Sequence, residues 1–191
     1  RPLGKNFDPD CILTTGKYTY DIFKKKYKHN VKIIGSKKSK KKISKLISKN
    51  NQKTVLILPE AYISESKELL SFAIKVSQIN KEYKFYLRLH PMIDSKELNF
   101  DLSKYPNIKL STSNLEYDFK RSKIIFFKGS ASALEAAAHG LKPIYIGKFN
   151  QNNVNPLYQV LNKKYYITDP KDFAKKIQSF NLIELKKINK Y

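Results

Sequence analysis

Short apolar runs alternate with amphipathic stretches along most of this chain. Six runs have the length of a β-strand, and they lie at residues 55–58, 83–89, 107–111, 124–127, 143–146 and 165–168. Between them, segments such as 64–79 repeat apolar residues every three or four positions, the period of a helix that buries one face. Most of the runs are apolar on both faces, which is typical of a parallel sheet covered by helices. The pattern therefore predicts an α/β fold with a Rossmann-like parallel sheet flanked by helices.

The first fifty residues follow a looser version of the same pattern. Two short apolar runs, at 12–13 and 31–34, flank an amphipathic segment at 18–27, which predicts one strand–helix–strand unit. The lysine-rich segment that follows ends in turn residues and is the best candidate for a domain boundary. We predict that residues 1–50 are the remnant of a preceding α/β domain with a basic linker, and that residues 51–191 form the Rossmann-like domain.

Charge is the first feature that narrows the function. The chain carries 38 lysine and arginine residues against 16 aspartate and glutamate residues, a net charge of +22. Two clusters stand out, one from Lys24 to Lys28 and one from Lys37 to Lys42. They are either a solvated surface with a compositional bias toward lysine or a functional basic face. If they are functional, the scarcity of arginine and the lack of an RNA-binding signature favour an anionic membrane surface over nucleic acid.

The sequence contains no recognisable targeting or membrane-spanning segment. No apolar run reaches the roughly 18 residues of a membrane span, and the N-terminus lacks the apolar core of a signal peptide. The single cysteine, Cys11, excludes an internal disulfide and a cysteine-based metal cluster. We therefore predict a cytoplasmic protein, which functional basic clusters would hold at the inner face of the cytoplasmic membrane.

The stretch at 123–147 carries the clearest candidate for ligand chemistry. Its apolar run ends at the turn Gly129-Ser130-Ala131-Ser132, from which a helix is expected to run to about His139. A helix that begins directly after a strand directs unpaired backbone N–H groups at one point, where a phosphate is stabilised. The two serines add hydroxyl groups, and Glu135 suits a ribose diol. The alternative is an ordinary serine N-cap with an acid that complements the helix dipole.

A second candidate follows the second apolar run of the same domain. Arg88 and His90 fall on one side of that strand, and Pro91 ends it. At the carboxyl edge of a parallel sheet, this pair can face a phosphate or a base; alternatively, the histidine only bonds a backbone carbonyl. Glu60 and Glu65 follow the first strand of the domain and are candidate acids of the same cleft, although Glu65 also fits an acid at a helix start.

Several common motifs are absent from the sequence. It has neither the GxGxxG fingerprint of dinucleotide-binding proteins nor a Walker A loop. Its three histidines have no paired spacing and no nearby cysteine that would suit zinc, and no carboxylate pair resembles a DxD metal site. We therefore predict no metal and no cofactor, and any nucleotide would be a substrate.

Together these segments resemble a known group of enzymes. ILPE…SESKELLSFA, FYLRLHP and SKIIFFKGSASALEAAAHGLKPIYIG, all within residues 53–168, are similar to the C-terminal, donor-binding half of bacterial GT-B glycosyltransferases that build capsule, lipopolysaccharide or other surface polysaccharides. His90-Pro91 looks like the motif with which sialyltransferases and related enzymes hold a cytidine nucleotide, and the serine turn resembles their phosphate-binding Ser/Thr motif. Sialyltransferase, Kdo-transferase and CDP-glycerol glycerophosphotransferase families share this pair of motifs.

The resemblance implies a metal-independent glycosyltransferase with a cytidine-activated donor, such as a CMP-sugar, and a glycan or glycolipid acceptor. Arg88 and His90 would neutralise the donor phosphate, the turn from Ser130 to Ser132 would hold the same group, and Glu135 would bind the ribose. In those families the general base comes from the N-terminal domain, so none is assigned here. The alternatives are a UDP-sugar transferase or a sugar-nucleotide epimerase of the same fold, and a basic nucleic-acid-binding module.

Overall fold

The computed structural model describes residues 9–27, 30–35, 53–148, 154–157, 161 and 163–179. These residues belong to two compact units, one containing the described residues up to 35 and the other those from 53 onward. The lysine cluster from Lys37 to Lys42 and Lys28 lie outside the described residues. The apolar pattern also predicts a short helix at 156–161, and residues 158–160 of that segment lie outside the described residues as well. The roles given to residues 1–50 and 51–191 stay a prediction.

The first unit is a strand–helix–strand motif, as the apolar pattern predicted. β1 (Cys11–Thr14) and β2 (Asn30–Ile33) pair in parallel. α1 (Lys17–Lys26) connects them, and the exposed lysines of its last turn complement the negative end of the helix dipole. These lysines are the described part of the first basic cluster.

The second unit contains a sheet of six parallel strands within the described residues. In chain order these are β3 (Thr54–Leu58), β4 (Lys84–Leu87), β5 (Ile108–Leu110), β6 (Ile124–Phe127), β7 (Lys142–Ile146) and β8 (Tyr166–Ile167). Their order across the sheet is β5-β4-β3-β6-β7-β8. The flanking helices are α2 (Ile63–Ile79), α3 (Leu115–Arg121), α4 (Ser132–Ala138) and α5 (Phe173–Gln178). The predicted α/β fold is therefore confirmed.

Alternate residues of each central strand face two separate cores. Val55 and Ile57 of β3 belong to a buried cluster that includes the apolar stripe of α2 and Phe173 of α5. Leu56 and Leu58 belong to a second cluster, which includes residues of α3 and α4. Burial on both faces explains why this strand is a continuous apolar run. None of the described helices is long and apolar enough to cross a membrane.

Two boundaries differ by two residues from the sequence-based prediction, several others differ by one, and one burial differs. β4 ends at Leu87 instead of residue 89, and α4 begins at Ser132 instead of residue 130. Ile79 was expected to extend the buried stripe of α2, but it is 55% exposed. It is the last residue of the helix, where the chain turns back toward β4 and no longer covers the sheet.

The strand order places a ligand crevice beside β3. The chain moves outward from β3 to β4 and β5, and then returns to β6 on the other side of β3 before adding β7 and β8. In doubly wound sheets, ligands bind at the carboxyl ends of the strands where the order reverses in this way. Here the loops that follow β3 and β6 form the sides of that crevice.

Candidate functional site

A contact between Glu60 and Gly129 bridges the crevice. β3 and β6 pair as far as Leu58 and Phe127, so the loops that leave them start side by side. Gly129 donates its backbone N–H to Oε1 of Glu60. A Cβ atom on residue 129 would overlap the Glu60 carboxyl group, so glycine leaves room for that group. The backbone N–H that was expected to face a phosphate is therefore bound to a carboxylate of the same chain.

Glu60 also hydrogen-bonds to the side chain of Glu65, in the first turn of α2. Burial of Glu60, followed by the hydrogen bond and the charge of Glu65, raises the pKa of Glu60; the Gly129 N–H and the charge of Lys128 act in the opposite direction. Oε2 of Glu65 is buried and finds no hydrogen-bond partner among the described residues. The two glutamates therefore form an acidic pair beside the turn at Gly129.

The lysine beside this turn is paired with a different acid. Nζ of Lys128 lies 2.6 Å from Oε2 of Glu68 on α2, and the lysine side chain is only 17% exposed. The hydroxyl of Ser66 donates to the backbone carbonyl of Glu60 at 3.1 Å, which fixes the loop after β3 onto the start of α2. The start of α2 thus brings carboxyl groups to Gly129, and the neighbouring lysine is already neutralised.

The serine turn does not use its hydroxyl groups to cap α4. Ala131 occupies the N-cap position, where its methyl group cannot accept a hydrogen bond. The carbonyls of Ser130 and Ala131 instead accept the N–H groups of residues 133 and 134, at 3.0 and 3.1 Å. α4 therefore begins later than predicted. Ser130 and Ser132 are half-buried beside the crevice, and Glu135 lies in the first turn of the helix.

His90 lies in a turn just beyond the end of β4. Its carbonyl accepts the N–H of Ile93 at 2.9 Å, and its Nδ1 accepts the N–H of Met92 at 3.3 Å. Nδ1 is therefore not available to donate to a backbone carbonyl. With Nδ1 as an acceptor, the neutral imidazole carries its proton on Nε2, which is then a hydrogen-bond donor suited to an anion.

Arg88 is held by an aspartate that the sequence analysis did not identify. Asp118 of α3 is completely buried, and its carboxylate accepts hydrogen bonds from Arg88 Nη1 at 2.8 Å and Arg121 Nη2 at 2.7 Å. The hydroxyl of Ser111 donates to the same carboxylate at 2.7 Å. Arg88 Nη1 also donates to the carbonyl of Ser113. The strand end of β4, the loop after β5 and α3 are therefore joined by one polar network.

Arg121 completes this network with an aromatic contact. Its guanidinium lies 3.6 Å from the ring centre of Tyr86 on β4, a favourable cation–π distance. No sequence pattern marks Asp118 as buried. Its partners Arg88 and Ser111 are distant in the sequence, and the sheet brings them to it. A local pattern would show the Asp118–Arg121 pair alone, three residues apart on one helix.

A cavity of about 400 Å³ opens beside Arg88, at the carboxyl ends of β4 and β5. Its lining comprises Arg88, Leu89, Pro91, Ile93, Asp94, Ser95, Leu110, Ser111, Thr112 and Ser113. Hydroxyl groups and apolar side chains therefore share its walls. This size lies within the range of small-molecule sites.

The candidate residues thus lie in two groups on either side of the end of β3. Arg88 and Pro91 line the cavity after β4, and His90 stands in the same turn. Glu60, Glu65 and the turn at Gly129 form the second group between β3 and β6. Among the described residues, no cluster of three or more potential ligand side chains could hold a metal ion. The binding roles assigned to these residues stay predictions.

Comparisons with solved structures identify the fold. No protein-family model matches the sequence, and no curated protein matches it. The wall teichoic acid polymerase TagF superposes with a TM-score of 0.50 at 16% identity, over 95% of this chain and 50% of TagF. A variant of TagF gives 0.53 at 17% identity, over 95% and 51%. A glycotransferase of kitacinnamycin gives 0.50 at 12% identity, over 72% of this chain and 38% of that one.

The second unit has the Rossmann-like fold of one half of a GT-B protein. At these identities the likeness shows the fold alone, and the sequence motifs must carry any statement on chemistry. The chain spans about half the length of TagF. The activity of a complete enzyme can therefore only be proposed for this chain, because TagF is about twice as long.

Proposed function

We propose that this chain is the donor-nucleotide-binding part of a glycosyltransferase that acts in bacterial surface polysaccharide or glycolipid synthesis. The observation that carries the proposal is the cavity after β4 and β5, which has Arg88 and Pro91 in its walls and the imidazole of His90 in the adjoining turn. The GT-B-like fold, and the similarity of this chain to a glycotransferase and to a wall teichoic acid polymerase, support the same class of enzyme.

The donor would be a cytidine-activated sugar or polyol. The resemblance of His90-Pro91 to a cytidine-binding motif favours a cytidine nucleotide. Two TagF structures that superpose on this chain come from crystals soaked with CDPG. Nε2 of His90 and the guanidinium of Arg88 would bind the donor phosphate. They would stabilise the negative charge that develops on the leaving nucleotide, so that no metal is needed. Ser130, Ser132 and Glu135 would contact the phosphate and the ribose from the β6 side.

The acceptor would be a glycan or glycolipid, and the basic cluster at the N-terminus would hold the protein at an anionic membrane surface. The exposed lysines of α1 support this part of the proposal. Each basic residue near such a surface contributes about 1 kcal/mol of attraction. Sedimentation with vesicles of anionic lipid, compared with neutral vesicles, tests this part independently of donor binding.

Calorimetric titration with CMP, CDP, UDP and NAD tests the nucleotide site. We expect the cytidine nucleotides to bind, and His90→Ala to weaken them by about tenfold or more, since a hydrogen bond to a charged group contributes about 1.5–3 kcal/mol. His90→Gln, which places an amide N–H near the position of Nε2, should retain part of the affinity. Lys81→Ala, an exposed change before β4 at the opposite edge, serves as the control. Absence of binding to every pyrimidine nucleotide would refute the proposal.

A further inference from the structure

The charge around Gly129 is opposite in sign to the charge of the whole chain. The net charge is +22, but the charged side chains described around this turn are Glu60, Glu65, Glu68 and Lys128. Lys128 is paired with Glu68, and the phenol of Tyr145 on β7, which the charges of these glutamates also reach, is neutral at physiological pH. Among these described side chains around Gly129, there is therefore no unpaired cation to offer a phosphate.

The turn is also occupied. The N–H of Gly129 is donated to Glu60, whose carboxyl group fills the space next to the glycine. A phosphate that approached this N–H would have to displace the carboxylate and remain beside the other acids. Like charges brought together in this way cost several kcal/mol where they are desolvated.

The other side of the crevice has the opposite character. Arg88 and Arg121 share the single carboxylate of Asp118, so this buried network keeps a net positive charge. The other acid of the cavity wall, Asp94, is exposed, and its carboxylate accepts the N–H of Lys96. Nε2 of His90 adds a neutral donor in the same region. One phosphate group is therefore stabilised beside β4, and a second group that extended from it toward β6 would meet Glu60.

We propose that Glu60, paired with Glu65, makes the site select a donor that carries a single phosphate over a donor that carries a diphosphate. This inference rests on the proposed function, since it assumes that a nucleotide occupies the cavity beside Arg88. It assigns Glu60 a role in specificity: the carboxylate occupies the place and the N–H that a second phosphate would need. Glu65 acts through Glu60, because its charge and its contact with Glu60 raise the pKa of that carboxyl group.

The test compares CMP and CDP by calorimetry on the whole chain and on four variants. Glu60→Gln removes the charge, Glu60→Ala removes the charge and the contact, and Glu65→Gln removes the charge of the neighbouring acid. Glu82→Gln removes an exposed carboxylate, paired with Lys53 before β4, and is the matched control. We expect wild type to bind CMP at least as tightly as CDP. Both Glu60 variants should bind CDP about tenfold more tightly and CMP within about threefold of wild type.

The pH dependence gives an independent readout. The pKa of Glu60 is raised by burial and by Glu65, so acidification neutralises Glu60 and should strengthen CDP binding to wild type, while Glu60→Gln should show a weaker pH dependence. The phenol of Tyr145, whose pKa is raised to about 12, stays neutral over the same range. An unchanged ratio of CDP to CMP affinity in both Glu60 variants, or a preference of wild type for CDP, would overturn the inference.

A second measurement separates this inference from the proposed function. The amide resonance of Gly129 is followed by NMR as inorganic pyrophosphate is added. We expect the resonance to shift in Glu60→Ala and to stay fixed in wild type and in Glu82→Gln. If no nucleotide binds but this pattern appears, the proposed function fails while the exclusion of a diphosphate by Glu60 stands. If the resonance responds equally in all three proteins, or in none, the inference fails.

Discussion

The buried aspartate of α3 offers the sharpest test of how the site is held together. Asp118 has no exposed surface, and its carboxylate binds Arg88, Arg121 and Ser111. Asp118→Asn keeps the shape of the side chain but removes the charge. It also turns one acceptor oxygen into a donor that faces two guanidinium groups. We expect this variant to be clearly less stable than wild type, because two partly buried cations lose their counter-ion.

The magnitude follows from the burial of the two arginines. Removing one member of a fully buried ion pair costs about 3–5 kcal/mol. The side chains of Arg88 and Arg121 are 28% and 20% exposed, so water still solvates part of each charge. Arg88 keeps the carbonyl of Ser113, and Arg121 keeps its contact with the ring of Tyr86. The expected loss of unfolding free energy is therefore about 2–3 kcal/mol, just below the range for a fully buried pair.

Urea unfolding followed by circular dichroism measures this loss. With a slope of about 2 kcal/mol per molar urea, the midpoint should fall by about 1 M. Glu116→Gln is the control on the same helix, since its exposed pair with Lys120 contributes at most about 0.5 kcal/mol. If Asp118→Asn loses less than about 1 kcal/mol, or no more than the control, the network does not hold the carboxyl edge and the reasoning is wrong.

Two further predictions concern the crevice and its surroundings. Gly129→Ala would place a Cβ atom in the Glu60 carboxyl group. We expect the free energy of unfolding to fall by about 1 kcal/mol, the value of one hydrogen bond. In a Glu60→Ala background the same change should cause no such fall. A loss of equal size in both backgrounds would show that the contact is not its cause. Burial, and after it the charge of Tyr166, raises the pKa of Tyr145 from its ordinary value of 10.0 to about 12. The folded chain favours the neutral phenol, so this stabilisation is present below pH 10 and is lost as the pH rises through about 12. Tyr145→Phe should remove a late component from the alkaline absorbance titration, and loss of a component near the ordinary value would contradict the assignment.

Most of the fold could be predicted because its signals are local. The run at β6 was placed at residues 124–127, as the structure has it, and the amphipathic segment at 64–79 lies within α2 (Ile63–Ile79). A buried strand is apolar in every position, and a helix shows its period within two turns. The errors lie at element ends, where Ile79 continues the helical period but leaves the surface of the sheet.

The candidate site was predictable only at positions that can be recognised one at a time from the sequence. Gly129 and His90-Pro91 interrupt apolar runs, and they could be found without knowing the fold. The contact of Gly129 with Glu60 spans 69 residues, and that of Arg88 with Asp118 spans 30. Such pairs depend on which strands become neighbours. The sequence therefore marked an anion-binding turn and did not reveal that a carboxylate already fills it.

The two charge patterns of this protein act at different distances. The net charge of +22 creates a field that attracts nucleotides and anionic surfaces, and this attraction is screened over about 8–10 Å at physiological salt. Close to the crevice the field is set by the nearest groups, which are Glu60, Glu65 and the ion pair of Lys128 with Glu68. The lysines can therefore speed the approach of every anion without distinguishing among them. In the proposed site, discrimination falls to Glu60, which accepts the N–H of Gly129. For this reason added salt should slow nucleotide association more than it changes the choice between one phosphate and two.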